Sequence, residues 1–324
     1  MTLPLSILDL APIGANETTR DSLEGSVALA QLAERSGYTR VWYAEHHNMP
    51  TIASSATAVL IAHVAAHTST IRLGSGGIML PNHSPLVIAE QFGTLATLHP
   101  GRIDLGLGRA PGTDQKTLRA LRRDPMSADA FPQDVQELQG YLTGNTLIPG
   151  VNATPGAGTD VPLYILGSSL FGAHLAAALG LPYAFASHFA PAALHDAVAA
   201  YRREFQPSAQ LDAPYVIAGV NVLAADTEAQ AQEQLAVVRR QRVSLLIGPD
   251  RTVTDEQADA ILASPQGQQL AQMLKYTAVG TPAAVREYLT EFAAHSGADE
   301  LIVAHQTPSV EQRLRSVELA APQA

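Results

Sequence analysis

Short apolar runs alternate with longer amphipathic segments along this chain. The runs are rich in leucine, β-branched and aromatic residues and are apolar throughout, rather than at every second position. Continuous apolar runs are typical of parallel strands that are buried on both faces. They predict eight strands, at residues 5–12, 40–47, 71–80, 102–110, 162–169, 183–189, 215–224 and 300–307.

The segments between these runs have the spacing of apolar residues that amphipathic helices show. They predict helices at residues 18–36, 54–67, 85–98, 131–142, 170–180, 192–205, 227–243 and 281–296. Regular alternation of strands and helices predicts an α/β protein, and eight such units favour one closed (β/α)₈ barrel over a doubly wound sheet. We therefore expect a single TIM-barrel domain over residues 1–324.

Three segments do not fit the repeat. Residues 111–130 follow strand four, residues 144–160 are rich in glycine and proline, and residues 244–280 lie between strands seven and eight. Long excursions in a compact domain are usually lids or binding loops. We expect insertions of this kind after strand four and between strands seven and eight.

Composition removes several classes of function. The net charge is −10 and the basic residues do not cluster, which argues against a nucleic-acid surface. The chain has no cysteine, so disulfides and thiolate metal sites are excluded, and a cytoplasmic location is expected. The N-terminus lacks the features of a signal peptide. The uncharged stretches 46–71 and 161–195 are broken by proline and polar residues, so no membrane span is expected.

In a parallel barrel the active site forms where the C-terminal ends of the strands converge. This rule selects the polar and glycine-rich strand ends as the candidate site. They include Glu45, His46, His47, Gly76, Gly77, Arg109, Gly167, Ser168 and Ser169.

Two of these strand ends suit an anion. Gly167, Ser168 and Ser169 stand at a strand-to-helix junction, where free backbone N–H groups and hydroxyls can bind a phosphate. The alternative is an ordinary helix cap. Arg109 ends strand four and could bind the same phosphate or form an ion pair at the rim. No Walker-type GK[ST] motif is present, so a nucleoside triphosphate is not expected.

Histidines are the other notable feature. Glu45 and His47 share one face of strand two, whereas His46 faces the opposite way. His63 and His67 are one helical turn apart, but they lie on a helix outside the barrel. A metal site is therefore disfavoured, and one histidine acting as acid, base or hydrogen-bond donor is the preferred interpretation.

Strand three, LGSGGIML, carries three glycines. Glycine weakens a strand, and within one it often marks a bulge or a place where a ligand or another backbone approaches closely. Two explanations remain open at this point: the strand bulges, or it makes room for a ring system laid against it.

Several motifs together resemble the luciferase-like flavin monooxygenases. They are AEHH at strand two, GSGGIMLPNHSP at strand three, GRIDLGLGRAPGTD at strand four and LGSS at strand five, followed by FASHFAP and GADELIV. The resemblance runs from about Leu5 to Ala186 and fades in 244–275 and after Gln306. It implies a barrel that binds reduced FMN, supplied by a separate flavin reductase, and uses O₂ to oxidise a small organic substrate such as an aldehyde or an apolar molecule.

The resemblance also implies roles for particular residues. Arg109, Arg119 and the turn Gly167-Ser168-Ser169 would bind the phosphate, and Glu45 and His46 would be catalytic. Gly76, Gly77 and Ile78 match the family's position beneath the flavin ring, where we predict a cis bond between Gly76 and Gly77. Gly108 stands where some relatives have a reactive cysteine, so no thiol role is expected, and light emission does not follow.

Two other functions are compatible with the same motifs. Relatives on this fold also use deazaflavin for hydride transfer, and some bind flavin without turnover. A homodimer is expected from the family and from the alanine-rich helix at 53–66, which could pack against a copy of itself.

Overall fold

The computed structural model describes residues 3–110, 114–248 and 253–322. Parts of two predicted excursions, residues 111–113 and 249–252, lie outside these ranges. The described strands are β1 (Leu5–Asp9), β2 (Arg40–Tyr43), β3 (Arg72–Met79), β4 (Ile103–Gly108), β5 (Leu163–Gly167), β6 (Tyr183–Phe185), β7 (Val216–Ala224), β8 (Thr277–Gly280) and β9 (Glu300–His305).

Eight of these strands form a closed parallel barrel. The order is β6-β5-β4-β3-β2-β1-β9-β7, and β7 pairs back with β6 to close the ring. Each barrel strand lies within one of the eight predicted runs, so the predicted (β/α)₈ barrel is confirmed. The strands are buried along most of their length, as expected for a sheet covered by helices.

The helices follow the strands in chain order. They are α1 (Thr19–Arg35), α2 (Thr57–Ala65), α3 (Pro85–Leu98), α4 (Gln115–Ala120), α5 (Phe131–Thr143), α6 (Leu170–Leu179), α7 (Leu194–Glu204), α8 (Glu228–Gln241), α9 (Ser244–Ile247), α10 (Asp255–Leu262), α11 (Pro265–Met273), α12 (Pro282–Ser296) and α13 (Val310–Leu319). All eight predicted helices are present. None of the described helices is long and apolar enough to cross a membrane.

The excursion between the last two barrel strands builds a module beside the barrel mouth. The module consists of α8, from the predicted helix 227–243, together with α9, α10, α11 and the additional strand β8 from the excursion; the sequence did not predict β8. β8 pairs in parallel with the outer half of β7, from Asn221↔Thr277 to Ala224↔Gly280, whereas the first part of β7 pairs with β6. β7 is thus long enough to pair with β6 in the barrel wall and, further along, with β8 of this module.

Glycines in β3 and β4 let these two strands approach each other closely. The register of the pair shifts between Ser75 and Ile78. A Cβ on Gly106 would lie 2.2 Å from the Ser75 carbonyl oxygen, and a Cβ on Gly77 would lie 2.8 Å from the Gly106 carbonyl oxygen. The bulge explanation therefore holds. On the sides where side chains would stand, protein atoms fill the space, so the glycines do not open a cleft there.

The N-terminal end of the barrel is filled by a buried ionic network. Arg40 donates to Asp104 at 2.8 Å and to Glu300 at 3.0 Å, and it also bonds the Tyr164 hydroxyl. Trp42 adds a hydrogen bond from Nε1 to Asp104 at 3.1 Å. Because these groups come from the start of strands far apart in sequence, the sequence pattern did not reveal them.

Candidate active site at the barrel mouth

Glu45 follows β2, and its carboxylate is surrounded by hydrogen-bond donors. It is 1% exposed and accepts from the Met79 backbone N–H at 3.0 Å. It also accepts from Nε2 of His47 and Nε2 of His83, both at 2.9 Å, and from Asn82 Nδ2 at 3.3 Å. Through these hydrogen bonds, Glu45 links the loop after β2 to the turn after β3.

These donors decide the charge of Glu45. Burial by itself would raise the pKa of the carboxyl, but the hydrogen bonds from His47 and His83, the charge on His83 and the Met79 N–H lower it to about 2. The carboxylate is ionised at neutral pH. The pKa of His47 is raised, chiefly by the hydrogen bond to Glu45.

His46 lies beside Glu45 but takes no part in this set of bonds. Its backbone N–H donates to the Ser54 carbonyl at 3.0 Å, whereas its side-chain Nδ1 is buried without a hydrogen-bond partner among the described residues. Burial lowers the pKa of His46, although the charge of Glu45 acts in the opposite direction. At neutral pH the imidazole is therefore mainly neutral and can accept or donate a proton.

His188 contributes a second buried imidazole, within electrostatic range of His46. Its Nδ1 is also buried and unpartnered within the described chain, and a Cβ on Gly219 would lie 2.2 Å from that atom. The ring is thus seated directly on the β7 backbone. Burial, the charge of Arg242 and the charge of His46 together lower the pKa of His188 to about 4.

Asn221 of β7 fixes the loop that carries His188. It donates from Nδ2 to the His188 carbonyl at 2.7 Å, and its own Oδ1 is buried without a described partner. Neither residue was given a role from the sequence. The available signal was His188, next to last in the uncharged predicted run 183–189.

Arg109 and the start of α6 come together, as the phosphate hypothesis requires. The Arg109 guanidinium carbon lies 4.0 Å from the centre of the Phe171 ring, in the first turn of α6. Ser169 is the N-cap residue, yet its side chain makes no capping hydrogen bond. Among the described residues, the first N–H groups of α6 therefore have no side-chain acceptor, and they lie beside a cation. Phe171 was not singled out from the sequence.

Two other predicted cofactor residues are placed differently. Arg119 is exposed in the last turn of α4, and its guanidinium makes no hydrogen bond or ion pair with the part of the chain that the structure describes. Ile78 is 2% exposed and belongs to the main apolar core, so its side chain is not free to line a ligand. The bond between Gly76 and Gly77 is cis, as predicted.

The described ranges contain no group of three His, Asp or Glu side chains that could hold a metal ion. His63 and His67 are exposed beside each other at α2, with ring centres 4.7 Å apart. His67 Nδ1 donates to the His63 carbonyl at 2.7 Å. This pair lies on the outside of the barrel, away from the strand ends.

Fold and site together define a parallel (β/α)₈ barrel that collects its polar groups at the C-terminal strand ends, as enzymes of this architecture do. The chain belongs to the luciferase-like monooxygenase family, whose sequence model matches residues 3–300. It is 48% identical over 323 residues to a luciferase-like monooxygenase of Escherichia coli (strain K12), covering 98% of this chain and 96% of that protein.

Solved structures agree with this assignment. The structure of apo-MsnO8 matches with a TM-score of 0.89 at 37% identity and covers 99% of this chain and 100% of that one. The oxygenating constituent of 3,6-diketocamphane monooxygenase from Pseudomonas putida, solved in complex with FMN, matches with a TM-score of 0.75. At 16% identity, with coverage of 99% and 97%, this second likeness is one of fold alone. The family makes this chain a monooxygenase-type oxidoreductase.

Proposed function

We propose that the chain is a flavin-dependent monooxygenase that uses reduced FMN and O₂ to oxidise a small organic substrate. The observation that carries the proposal is the position of Arg109, held against Phe171 beside the uncapped start of α6. The residues present fit FMN, because a cation and free N–H groups suit its phosphate. The orphaned polar atoms of His46, His188 and Asn221 also suit a polar ring system at the mouth.

When bound, reduced FMN would supply two electrons to O₂; the substrate would supply two more as one oxygen atom is transferred to it, and the other oxygen atom would leave as water. In our proposal Arg109 and the turn Gly167-Ser168-Ser169 bind the phosphate. Arg119, exposed in the last turn of α4, is proposed as a second arginine for the phosphate. Gly76, Gly77 and Ile78 are proposed to contribute backbone rather than side-chain contacts.

His46 is the proposed catalytic residue, because its unpartnered Nδ1 can hold or deliver a proton at neutral pH. The carboxylate of Glu45 is already engaged by four donors. We therefore assign Glu45 a positioning role for the loop that carries His46, in place of the catalytic role implied by the resemblance.

Titration of FMN, riboflavin and a deazaflavin into the cofactor-free protein tests the proposal. Arg109→Ala and Ser168→Ala should each weaken FMN by roughly tenfold or more, because a charge-assisted hydrogen bond contributes about 1.5–3 kcal/mol. Riboflavin, which lacks the phosphate, should be affected much less. Arg35→Ala, an exposed change on α1, is the control. Equal losses for both ligands would place the phosphate elsewhere, and preferential binding of the deazaflavin would favour hydride transfer.

We further propose that the whole chain acts as one domain in the cytoplasm, as a homodimer served by a separate flavin reductase. The outer faces of α2 and α3 expose Val59 at 70%, Val87 at 43% and Leu98 at 66%. Exposed apolar side chains on neighbouring helices suit a contact with a second copy. A Val59→Glu variant that keeps the wild-type molar mass in light scattering would exclude this surface.

A further inference from the structure

A cavity of about 220 Å³ lies in the module beside the barrel mouth. Arg239 and Arg242, at the end of α8, form one part of its lining. Apolar side chains from α10, α11 and the following turn form the rest, including Leu262, Leu270 and Leu274. With about 30 Å³ for each liquid water, the cavity has room for roughly seven or eight non-hydrogen atoms.

Within the described ranges, no carboxylate forms an ion pair with Arg242. Its guanidinium is partly buried and makes no hydrogen bond or ion pair within the described ranges. The neighbouring α10 carries three acidic residues: Asp255 and Asp259 are bound by Arg240, at 2.9 and 2.7 Å, and Glu256 is exposed in the first turn. Burial lowers the pKa of Arg242, as expected for a cation without a partner.

Arg242 links the cavity to the site at the mouth. α8, at whose end Arg242 lies, packs against the outer end of β7 and against β8 through Leu223, Leu235 and Val279. The charge of Arg242 lowers the pKa of His188, which follows β6. Arg242 therefore lines the apolar cavity and is within electrostatic range of His188.

We propose that this cavity binds a small carboxylate with a short apolar tail, and that Arg242 selects acidic molecules as substrates. An unpaired cation in an apolar lining is costly, and a carboxylate would neutralise it with charge-assisted, bidentate hydrogen bonds. The leucine lining would hold the tail. The proposal of a carboxylate site depends only on the cavity and its lining. The proposal that acids are substrates also rests on the proposed function.

Calorimetric titration with hexanoate, which has the size of the cavity, tests the binding site in cofactor-free protein. We expect hexanoate to bind at least about tenfold more tightly than the neutral hexanamide, and Arg242→Gln to remove this preference. Ala271→Leu, which fills the cavity without changing charge, should weaken both ligands. Arg35→Gln removes the same charge from an exposed position on α1, outside the cavity, and should leave hexanoate affinity unchanged. Equal binding of the acid and the amide, or a hexanoate affinity that Arg242→Gln does not change, would overturn the site.

Thermal melting separates ligand binding from a structural role of Arg242. Because its charge is unpaired, Arg242→Gln should melt at or above the wild-type temperature, and hexanoate should raise the melting temperature of the wild type alone. A variant that melts well below wild type would mean that Arg242 supports the fold.

Comparison with the cofactor titration keeps the two proposals distinct. If FMN fails to bind while hexanoate still depends on Arg242, the proposed function falls and the carboxylate site remains. If FMN binds and acids are oxidised no better than their amides, the substrate class is wrong and the proposed function remains.

Discussion

Glu45→Gln replaces a buried carboxylate with a neutral amide of nearly the same shape. The ordinary glutamate pKa of 4.5 falls to about 2 in the folded protein. This difference corresponds to about 3 kcal/mol of stability at neutral pH. Because the folded-state pKa is the lower one, the contribution is present above pH 4.5 and is lost as pH falls toward 2. The amide cannot accept from all four donors, so the variant should lack this contribution at every pH.

Urea unfolding of the wild type and the variant at several pH values measures the effect. The gap between the two free energies of unfolding should be about 3 kcal/mol at pH 7 and roughly half of that at pH 3. Other carboxyl groups titrate in both proteins and cancel in the gap. Glu24→Gln, which removes an exposed carboxylate 3.7 Å from Arg20, is the matched control. It should change stability by less than about 0.5 kcal/mol.

Two results would contradict a role for the charge of Glu45 in stability. A gap below about 1 kcal/mol at pH 7 would mean that the four hydrogen bonds stabilise the neutral side chain almost as well as the ion. A gap of full size that does not narrow between pH 7 and pH 3 would mean that Glu45 acts through packing rather than charge.

Further substitutions test the other parts of the molecule. His46→Asn should leave the melting temperature and FMN affinity near wild type while cutting product yield by about 10²–10⁴-fold; a large fall in melting temperature with normal yield would make His46 structural. His47→Asn should keep the yield and lower stability, more at pH 5.5 than at pH 8.5, because a raised folded-state pKa adds stability that is lost as pH rises through it. Phe171→Ala should weaken FMN roughly two- to fivefold with riboflavin unchanged, since it removes the ring that holds Arg109, and equal effects on both ligands would argue against that role. Arg40→Met should cost about 3–5 kcal/mol in urea unfolding without changing FMN affinity, because the buried Glu300 loses its cationic partner and Asp104 keeps only Arg72 as a cation.

The sequence alone determined the barrel and the location of its mouth. Strands buried on both faces must be apolar at every position, so all eight barrel strands stood out as continuous runs. The site followed from the rule that such strands end at one edge, which singled out His46, Arg109 and Ser168 before any contact was known. Elements outside the repeat were missed, for different reasons. β8 has only four residues, TAVG, and α13 lies in a polar C-terminal segment.

Only the tertiary structure decided which side chains meet. Periodicity shows that Glu45 and His46 face opposite ways, but not that His83, on another loop, completes the set of donors around Glu45. Nor does periodicity show that Arg242, at the end of the predicted helix 227–243, lowers the pKa of His188. Such pairings depend on strand register and on how far β7 extends beyond β6, and these are set by contacts between residues distant in sequence. Local sequence patterns thus determine the barrel, whereas tertiary packing determines which charged side chains interact at its mouth.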